Sequence, residues 1–277
     1  MSSPILATGF VVDSPEEGTI FPSAGGSSGS AQVQAVYWRC LIVLFASARI
    51  LNPGLRLMLF SNVRPPVVDG HDLGAVLEKY GVEHRLVPIS TRLNRQLTPA
   101  WGNVLYFFDI MGSLTDLPLE ARIALVDSDV LVAGALEPLF ALLDAADYGY
   151  YRANTADDDY DINGLSQRDM GAIASRIAGR ALSRPIPHYG GEMFLCSLGT
   201  WQRDRRVFEG ILGDALAGEG PAAPVAFTSR KAFRSVRCVS RSGPFWLSRY
   251  HGSRGVAGAG WPALWPSGQI CNQGSAR

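Results

Sequence analysis

An apolar run that ends in two closely spaced carboxylates, between Ile123 and Val132, constrains the fold of this chain most strongly. Apolar residues fill the run up to Val126, Asp127 follows at once, and Asp129 comes one residue after that. Such a run is typical of a strand buried on both faces, the kind found in parallel sheets. Because ionised carboxylates are costly to bury, we expect the pair at the C-terminal end of the strand. Open α/β sheets form their ligand crevices at that end.

The spacing of the two aspartates indicates a shared ligand site. Side chains at alternate positions of a strand lie on one face, so Asp127 and Asp129 are predicted to point into one pocket. Two carboxylates on one face suit a hard divalent cation, Mn²⁺ or Mg²⁺, which keeps positions open for substrate phosphate. The alternative is a strand end with two solvated aspartates, since an Asp-X-Asp triplet alone occurs by chance in many chains.

Composition is that of a globular protein with a substantial core. The chain has 277 residues, of which 47% are hydrophobic and 18% charged, enough for one large α/β domain or two small ones. The formal net charge is zero, so nothing favours a nucleic-acid partner. The four cysteines have no paired spacing, and we expect isolated thiols in a reducing compartment.

No membrane or export signal is predicted. The N-terminus lacks a basic stretch followed by an apolar one, which argues against a signal peptide. The best apolar run, Cys40 to Ala48, has about half the length needed to span a bilayer. We therefore expect a cytoplasmic protein without a transmembrane segment, and peripheral contact with a membrane stays open.

Strand and helix patterns alternate along the first half of the chain. Strands are predicted over 4–12, 55–60, 82–88 and 122–126, and helices over 36–51, 70–80 and 101–114. This alternation implies an α/β fold with a mostly parallel sheet and helices on both faces. A Gly, Ser and Pro-rich stretch over 14–33 predicts a long mobile loop. A phosphate cradle is the alternative there, although the stretch lacks a Walker lysine.

A second acidic segment, from Asp157 to Gly164, partly matches a calcium loop. Asp159, Asp161 and Asn163 fall on the first, third and fifth positions of such a loop. The bidentate acid required at the twelfth position is replaced by Met170. A solvated acidic loop that caps the next helix is therefore the favoured interpretation.

Glycines and a glutamate precede a later apolar strand. Gly190 and Gly191 allow close approach of the backbone to a ligand. Glu192 could bind a sugar hydroxyl or act in catalysis, and the alternative is a turn with an exposed acid. Helices are also predicted over 135–145 and 201–217, and a strand over 148–152.

A histidine and an arginine lie in a glycine-rich segment near the C-terminus. A neutral imidazole at His251 would be a suitable third ligand for Mn²⁺. Arg254 could hold a diphosphate through two parallel hydrogen bonds. A surface histidine in a loop is the alternative. Residues 256–277 show no periodicity, so we expect one domain over 1–255 followed by an irregular tail.

Taken together, these stretches resemble the GT-A-type nucleotide-sugar glycosyltransferases, and most of all the glycogenin and lipopolysaccharide-galactosyltransferase-like family. The resemblance lies in the Asp-X-Asp at the end of Ala124–Asp129, in Gly190–Trp201 and, loosely, in His251–Arg254, and it covers roughly residues 5–255. The Asp-Gln segment of many members is absent between Trp201 and His251. The donor sugar and the stereochemical outcome therefore stay open.

The resemblance implies a GT-A (Rossmann-like) fold and metal-dependent transfer of a sugar from a nucleoside diphosphate sugar, foremost a UDP-sugar, to an acceptor hydroxyl. By this resemblance, Asp129 and His251 would hold Mn²⁺ or Mg²⁺, and Asp127 would bridge the metal and the ribose. Ser128 would lie against the nucleotide, and Arg254 would bind its phosphates. The acceptor class is open: a glycan, a lipid, a protein or a small molecule.

The remaining site residues follow from the same resemblance. Thr8 and Gly9 would line the nucleotide base. Gly190 and Gly191 would lie close to the donor, and Glu192 would contact the donor sugar or the acceptor.

Two other functions stay open. In a phosphatase of the haloacid-dehalogenase type, Asp127 would be the nucleophile and Asp129 the acid/base. That motif normally opens the chain and carries Thr or Val where Leu131 stands here. The third possibility is a non-catalytic nucleotide or carbohydrate binder on the same fold.

Overall fold

The computed structural model describes the N-terminal and central parts of the chain and two short strands beyond them: residues 3–18, 20–21, 26–90, 92, 103–152, 166–182, 186, 189–216, 236–239 and 247–249. Several sequence predictions lie outside these residues. They concern the calcium-type loop over 157–164, His251, Arg254 and the tail over 256–277.

The described residues form strands and helices in an alternating order. The strands are β1 (Ile5–Phe10), β2 (Ile20–Phe21), β3 (Gly26–Ser27), β4 (Arg56–Ser61), β5 (Val67–Val68), β6 (His71–Asp72), β7 (Val82–Leu86), β8 (Arg122–Val126), β9 (Val130–Val132), β10 (Tyr148–Arg152), β11 (Tyr189–Ser197), β12 (Val236–Val239) and β13 (Leu247–Arg249). The helices are α1 (Ala31–Leu51), α2 (Leu73–Lys79), α3 (Tyr106–Gly112), α4 (Glu137–Ala141), α5 (Gln167–Ala178) and α6 (Leu198–Leu216). A 3-10 turn over Leu142–Asp144 extends α4.

A seven-stranded sheet in the order β12-β10-β11-β8-β1-β4-β7 organises the molecule. Strands β8, β1, β4 and β7 run parallel to their neighbours, and β11 joins them antiparallel to β8. Strand β10 is antiparallel to β11 and parallel to β12. The predicted α/β fold with a mostly parallel sheet is thus confirmed. The two antiparallel pairs, β8 with β11 and β11 with β10, lie on the opposite side of β8 from β1.

Two hydrophobic clusters cover the two faces of the sheet. Helices α1, α2 and α4 bury their apolar side chains on one face, around Trp38, Phe45 and Phe140. Helices α3 and α6 cover the other face with Ile110 and Trp201. Strands that are buried on both sides have continuous apolar sequences for this reason. The prediction of helices on both faces is confirmed.

Helix α1 begins earlier than its apolar pattern indicates. Ser30 caps the helix, since its side chain accepts a hydrogen bond from the backbone N–H of Val33. The last residues of the predicted 14–33 loop are therefore helical, and β2 pairs with β3 in a short hairpin inside that stretch. The predicted end of this helix at residue 51 is confirmed, because α1 ends at Leu51.

Helix α1 is also long and apolar enough, by length and composition, to cross a membrane. Core helices of soluble proteins and N-terminal signal sequences pass the same test. In this fold α1 packs on the sheet, where Leu41, Leu44 and Phe45 are fully buried. Ser47 ties the helix to β9 by accepting a hydrogen bond from the backbone N–H of Val132 at 3.1 Å.

Candidate functional site

The acidic turn, residues 127–129, lies at the carboxyl end of the middle strand of the sheet. Strand β8 ends at Val126, and its apolar residues are buried, as the sequence predicts. Asp127 follows the strand directly, and Ser128 and Asp129 form a turn into β9. All three residues are half-buried. The predicted position of the carboxylate pair is confirmed, and it is the position of ligand crevices in sheets of this kind.

The strand alternation from which we predicted that the two aspartates share one face does not extend to Asp129. That the two side chains point into one pocket stays a prediction. Asp127 follows the strand and continues its ladder by one backbone hydrogen bond, whereas Asp129 belongs to the turn. The negative charge of Asp129 acts on the thiol of Cys40 in α1. Burial, and secondarily this charge, raises the pKa of Cys40 to about 11.

The acidic turn supplies two carboxylates of the kind that bind divalent cations. Asp129 forms no hydrogen bond or ion pair with another residue in the described part of the chain. Carboxylate oxygens are ligands that Mn²⁺ and Mg²⁺ prefer, so Asp127 and Asp129 are candidates to hold such a cation. Within the described ranges, no group of three or more His, Cys, Asp or Glu side chains could hold a metal ion. The predicted third ligand, His251, lies outside those ranges.

Glu192 lies next to the acidic turn because of the pairing between β8 and β11. The backbone N–H of Asp127 donates a hydrogen bond to the carbonyl oxygen of Glu192 at 3.1 Å. The ladder continues with Met193 opposite Val126. Glu192 is half-buried, and its Oε2 atom is shielded from solvent. The structure thus brings Asp127 and Glu192 together, which no local pattern in the sequence indicates.

An irregularity in β11 produces this arrangement. Tyr150 of β10 is opposite Phe194, but the next residue, Tyr151, is opposite Gly190. Of the β11 residues between these two points, Glu192 and Met193 pair on the β8 side, with Asp127 and Val126. Bulges of this kind redirect side chains and are common beside active sites.

The two glycines lie at this irregularity. Gly190 and Gly191 are both part of β11, and Gly191 is exposed. A Cβ atom added at Gly191 would meet no described atom within 4 Å. The backbone is therefore accessible there, as the sequence prediction of close ligand approach requires.

Thr8 and Gly9 lie inside the sheet, near the end of β1. Thr8 is fully buried in β1, paired with Val126 on one side and Leu59 on the other. Its hydroxyl is buried and has no hydrogen-bond partner among the described residues, and its contact with a nucleotide stays a prediction. A Cβ atom at Gly9 would clash with Cδ1 of Ile110, so the glycine lets α3 approach the sheet.

A network of polar side chains surrounds Asp13, just after β1, and no pattern in the sequence predicts it. The carboxylate of Asp13 is buried, accepts a hydrogen bond from Ser28 and forms an ion pair with Arg92. The Gln34 side-chain amide donates to the backbone oxygens of Asp13 and Ser28 at 2.8 and 2.9 Å. The network ties the Gly/Ser-rich stretch to the end of β1. A single acid after the first strand was its only signal in the sequence.

Comparison with known proteins gives distant structural similarities. No protein-family model and no curated protein sequence matches the chain. The galactosyltransferase LgtC, solved with donor and acceptor sugar analogs, is similar with a TM-score of 0.47 and 14% identity over 84% of this chain and 72% of that one. The Streptococcus pneumoniae glycosyltransferase GlyE gives a TM-score of 0.45 and 11% identity over 86% of this chain.

This chain covers 45% of GlyE. Mouse xyloside xylosyltransferase 1 gives a TM-score of 0.45 and 13% identity over 79% of this chain and 74% of that one. All three proteins are glycosyltransferases by name, the class that the sequence resemblance indicates. At these values the similarities do not establish an activity, which has to be argued from the site itself.

Proposed function

We propose that this protein is a metal-dependent glycosyltransferase that moves a sugar from a nucleoside diphosphate sugar, foremost a UDP-sugar, to an acceptor hydroxyl. The observation that carries the proposal is the acidic turn at the carboxyl end of β8, hydrogen-bonded through Asp127 to Glu192. This arrangement puts carboxylates of two neighbouring strands at one edge of the sheet. Nucleotides bind at this edge in open α/β sheets.

Asp129 and Asp127 would hold the cation, Mn²⁺ or Mg²⁺, against the diphosphate of the donor. When bound, the cation supplies Lewis-acid stabilisation of the negative charge on the leaving nucleotide. His251 and Arg254 are proposed from the sequence as the third ligand and as a phosphate-binding cation. Ser128, between the two aspartates, would lie against the same nucleotide.

Glu192 would contact the donor sugar or accept a hydrogen bond from the acceptor. Its position beside Asp127 supports this role, because the reacting sugar must lie next to the metal-bound diphosphate. The accessible backbone at Gly191 leaves room for that sugar. The site therefore combines a cation-binding turn, a carboxylate and an open stretch of backbone.

Calorimetric titration of UDP, and separately of GDP, into the protein with Mn²⁺ and with EDTA tests the donor site. We expect UDP to bind with Mn²⁺ and to lose at least about tenfold in affinity with EDTA, a loss of about 1.4 kcal/mol. Asp129→Asn should give the same loss in the presence of Mn²⁺.

Asp144→Asn is the matched control for this experiment. Asp144 is an exposed carboxylate that pairs with Arg122 at the start of β8, at the opposite end of the strand. Its substitution should leave UDP affinity unchanged. Absence of binding by either nucleotide, or equal binding with Mn²⁺ and EDTA, would contradict the proposed function.

A further inference from the structure

Helix α1 carries an exposed apolar stripe, Val36, Val43 and Ile50, on the side that faces away from the sheet. These three residues are 41%, 42% and 71% exposed, whereas Leu44 and Phe45 on the other side of the helix are fully buried. The stripe residues are seven positions apart, so each step drifts by only about 20° around the helix axis. They therefore form one line, about 21 Å long at 1.5 Å of rise per residue.

The side chains between the stripe residues leave room for another helix. Cys40, Ala46 and Ser47 occupy the helical turns between them, are partly exposed and have small side chains. The long side chain of Arg39 extends to the β5–β6 hairpin, where it pairs with Asp69. Helix axes approach to about 8–10 Å, depending on the side chains at the contact, and small ones allow the closer distance. The outer face of α1 can therefore pack closely against a second helix.

The charges of α1 are balanced within the protein itself. The sequence Ala31–Leu51 contains no Asp or Glu and two basic residues. Of these, Arg39 pairs with Asp69, and Arg49 donates a hydrogen bond to the carbonyl oxygen of Tyr80 at 2.7 Å. Attraction to an anionic lipid surface requires a cluster of available Lys and Arg side chains. A neutral apolar face instead suits a partner face of the same character, because no like charges oppose each other.

The stripe is complementary to itself, which makes a second copy of this chain the fitting partner. In an antiparallel pair of α1 helices with a twofold axis at Val43, this valine meets its own equivalent. Val36 then meets Ile50 of the other copy, and Cys40 meets Ala46. No two bulky or like-charged side chains are brought together. Twofold dimers use one surface patch twice in this way, and a seven-residue spacing keeps the seam between two packed helices continuous.

We propose that two copies of this chain associate through antiparallel packing of their α1 helices along the stripe. A strip about 21 Å long and one helix diameter wide covers roughly 200 Å². Standard interfaces bury about 800 Å² per partner, so the stripe alone is too small for a permanent dimer. The β5–β6 hairpin beside Arg39 and strand β9 beside Ser47 flank the helix and would enlarge the contact. We expect a weak dimer, with a dissociation constant of about 10–100 μM.

Sedimentation velocity of the full chain, at concentrations from about 5 to 500 μM, tests this association. We expect the average mass to rise from that of a monomer toward that of a dimer. Val43→Glu would put two carboxylates against each other at the twofold axis, so it should weaken the dimer at least about tenfold. Leu119→Glu is the matched control, because Leu119 is an exposed apolar residue bonded through its backbone to α6, on the other face of the sheet. It should dimerise like the wild type.

Disulfide formation between engineered cysteines tests the antiparallel arrangement, in a Cys40→Ser background. Under mild oxidation Val43→Cys should form an intermolecular disulfide, because its two copies meet at the axis. Val36→Cys alone should not, since its two copies would be about 21 Å apart. A mixture of Val36→Cys and Ile50→Cys should crosslink, because these two positions face each other. The same experiment decides the question if Val43→Glu does not fold, which far-UV circular dichroism shows.

Three outcomes would overturn this inference. The first is a chain that stays monomeric at the highest concentration, or a dimer that Val43→Glu leaves intact. The second is crosslinking of Val36→Cys as efficient as that of Val43→Cys, since it indicates another packing. The third is binding to phosphatidylcholine–phosphatidylserine vesicles that depends on Val43, without any dimer, which would assign the stripe to a membrane surface. None of these measurements depends on the proposed function.

Discussion

The backbone N–H of Asp127 donates a hydrogen bond to the carbonyl oxygen of Glu192 at 3.1 Å. This bond extends the β8–β11 ladder one residue past the end of β8. It holds the acidic turn against the beginning of β11. Because the bond uses only main-chain atoms, either side chain can be substituted without breaking it. The roles of the two carboxylates can therefore be tested separately.

Substitution of Glu192 tests its contact with the reacting sugar. Glu192→Gln keeps the shape of the side chain and the backbone hydrogen bond but removes the charge. We expect sugar transfer to fall about 100-fold, the effect of losing a carboxylate that handles a proton or a hydroxyl. UDP affinity with Mn²⁺ should stay within about twofold.

Glu209→Gln is the control, since Glu209 is an exposed residue of α6 that pairs with Arg205. It should transfer sugar like the wild type. Activity of Glu192→Gln close to that of the wild type would show that Glu192 has a structural role only.

Removing the charge of Asp129 should make Cys40 more reactive. Burial raises the pKa of the Cys40 thiol to about 11, and the Asp129 charge adds to the effect. Asp129→Asn removes the second cause, so the pKa should fall. The thiolate fraction below the pKa then rises, by tenfold for each unit. The pH dependence of iodoacetamide labelling, read at Cys40 by peptide mass spectrometry, measures the shift.

Cys196 serves as the internal reference in the same samples, because it is fully buried and burial also raises its pKa. Its labelling should stay low in both proteins. An unchanged labelling profile of Cys40 would mean that Asp129 is too far from the thiol to act on it.

Gly9 is predicted to be required for packing rather than for ligand contact. In Gly9→Ala the new methyl group clashes with Cδ1 of Ile110 and lies 3.3 Å from the ring of Tyr106. Overpacking of this kind costs about 1–3 kcal/mol of unfolding free energy. Ile110→Val removes the clashing atom, so the double variant should lose less than the sum of the two single losses. Urea denaturation of the four proteins gives these free energies.

Additive losses in this cycle would mean that the alanine is accommodated by another movement. If Gly9→Ala instead lost much of its UDP affinity while its unfolding free energy stayed unchanged, the result would support the contact between Gly9 and the nucleotide that the sequence suggests.

The ion pair between Asp13 and Arg92 should contribute strongly to stability. The carboxylate of Asp13 is buried, so Arg92→Met leaves a buried charge without its cation. Breaking buried pairs costs about 3–5 kcal/mol, and the partial exposure of Arg92 places the expected loss near the lower value. Adding Asp13→Asn should restore part of it. Urea denaturation measures both variants.

Arg39→Met provides the comparison, because Arg39 pairs with Asp69 on the surface. Exposed pairs of this kind contribute about 0–1 kcal/mol. Equal losses for Arg39→Met and Arg92→Met would show that burial of Asp13 has no energetic weight.

Local patterns were sufficient for two strands of the sheet, one of which precedes the acidic turn. The apolar run before Asp127 predicts β8 with the observed bounds, and the aromatic run at 148–152 does the same for β10. Local patterns did not predict the structure where a helix cap or a turn, and not hydrophobic periodicity, determines the backbone conformation. The Ser30 cap starts α1 before its apolar residues, and Asp129 lies in a turn where alternation does not apply.

The sequence alone determined the alternating α/β fold and the position of two carboxylates at the end of a buried strand, because hydrophobic periodicity and the cost of burying charge are local properties. Only the tertiary structure decided which residues meet there. Glu192 reaches Asp127 through antiparallel pairing of strands far apart in the chain, and Arg92 reaches Asp13 across 79 positions. Such contacts depend on strand order and register, which are settled by packing of the whole sheet and leave no periodic signal in either segment.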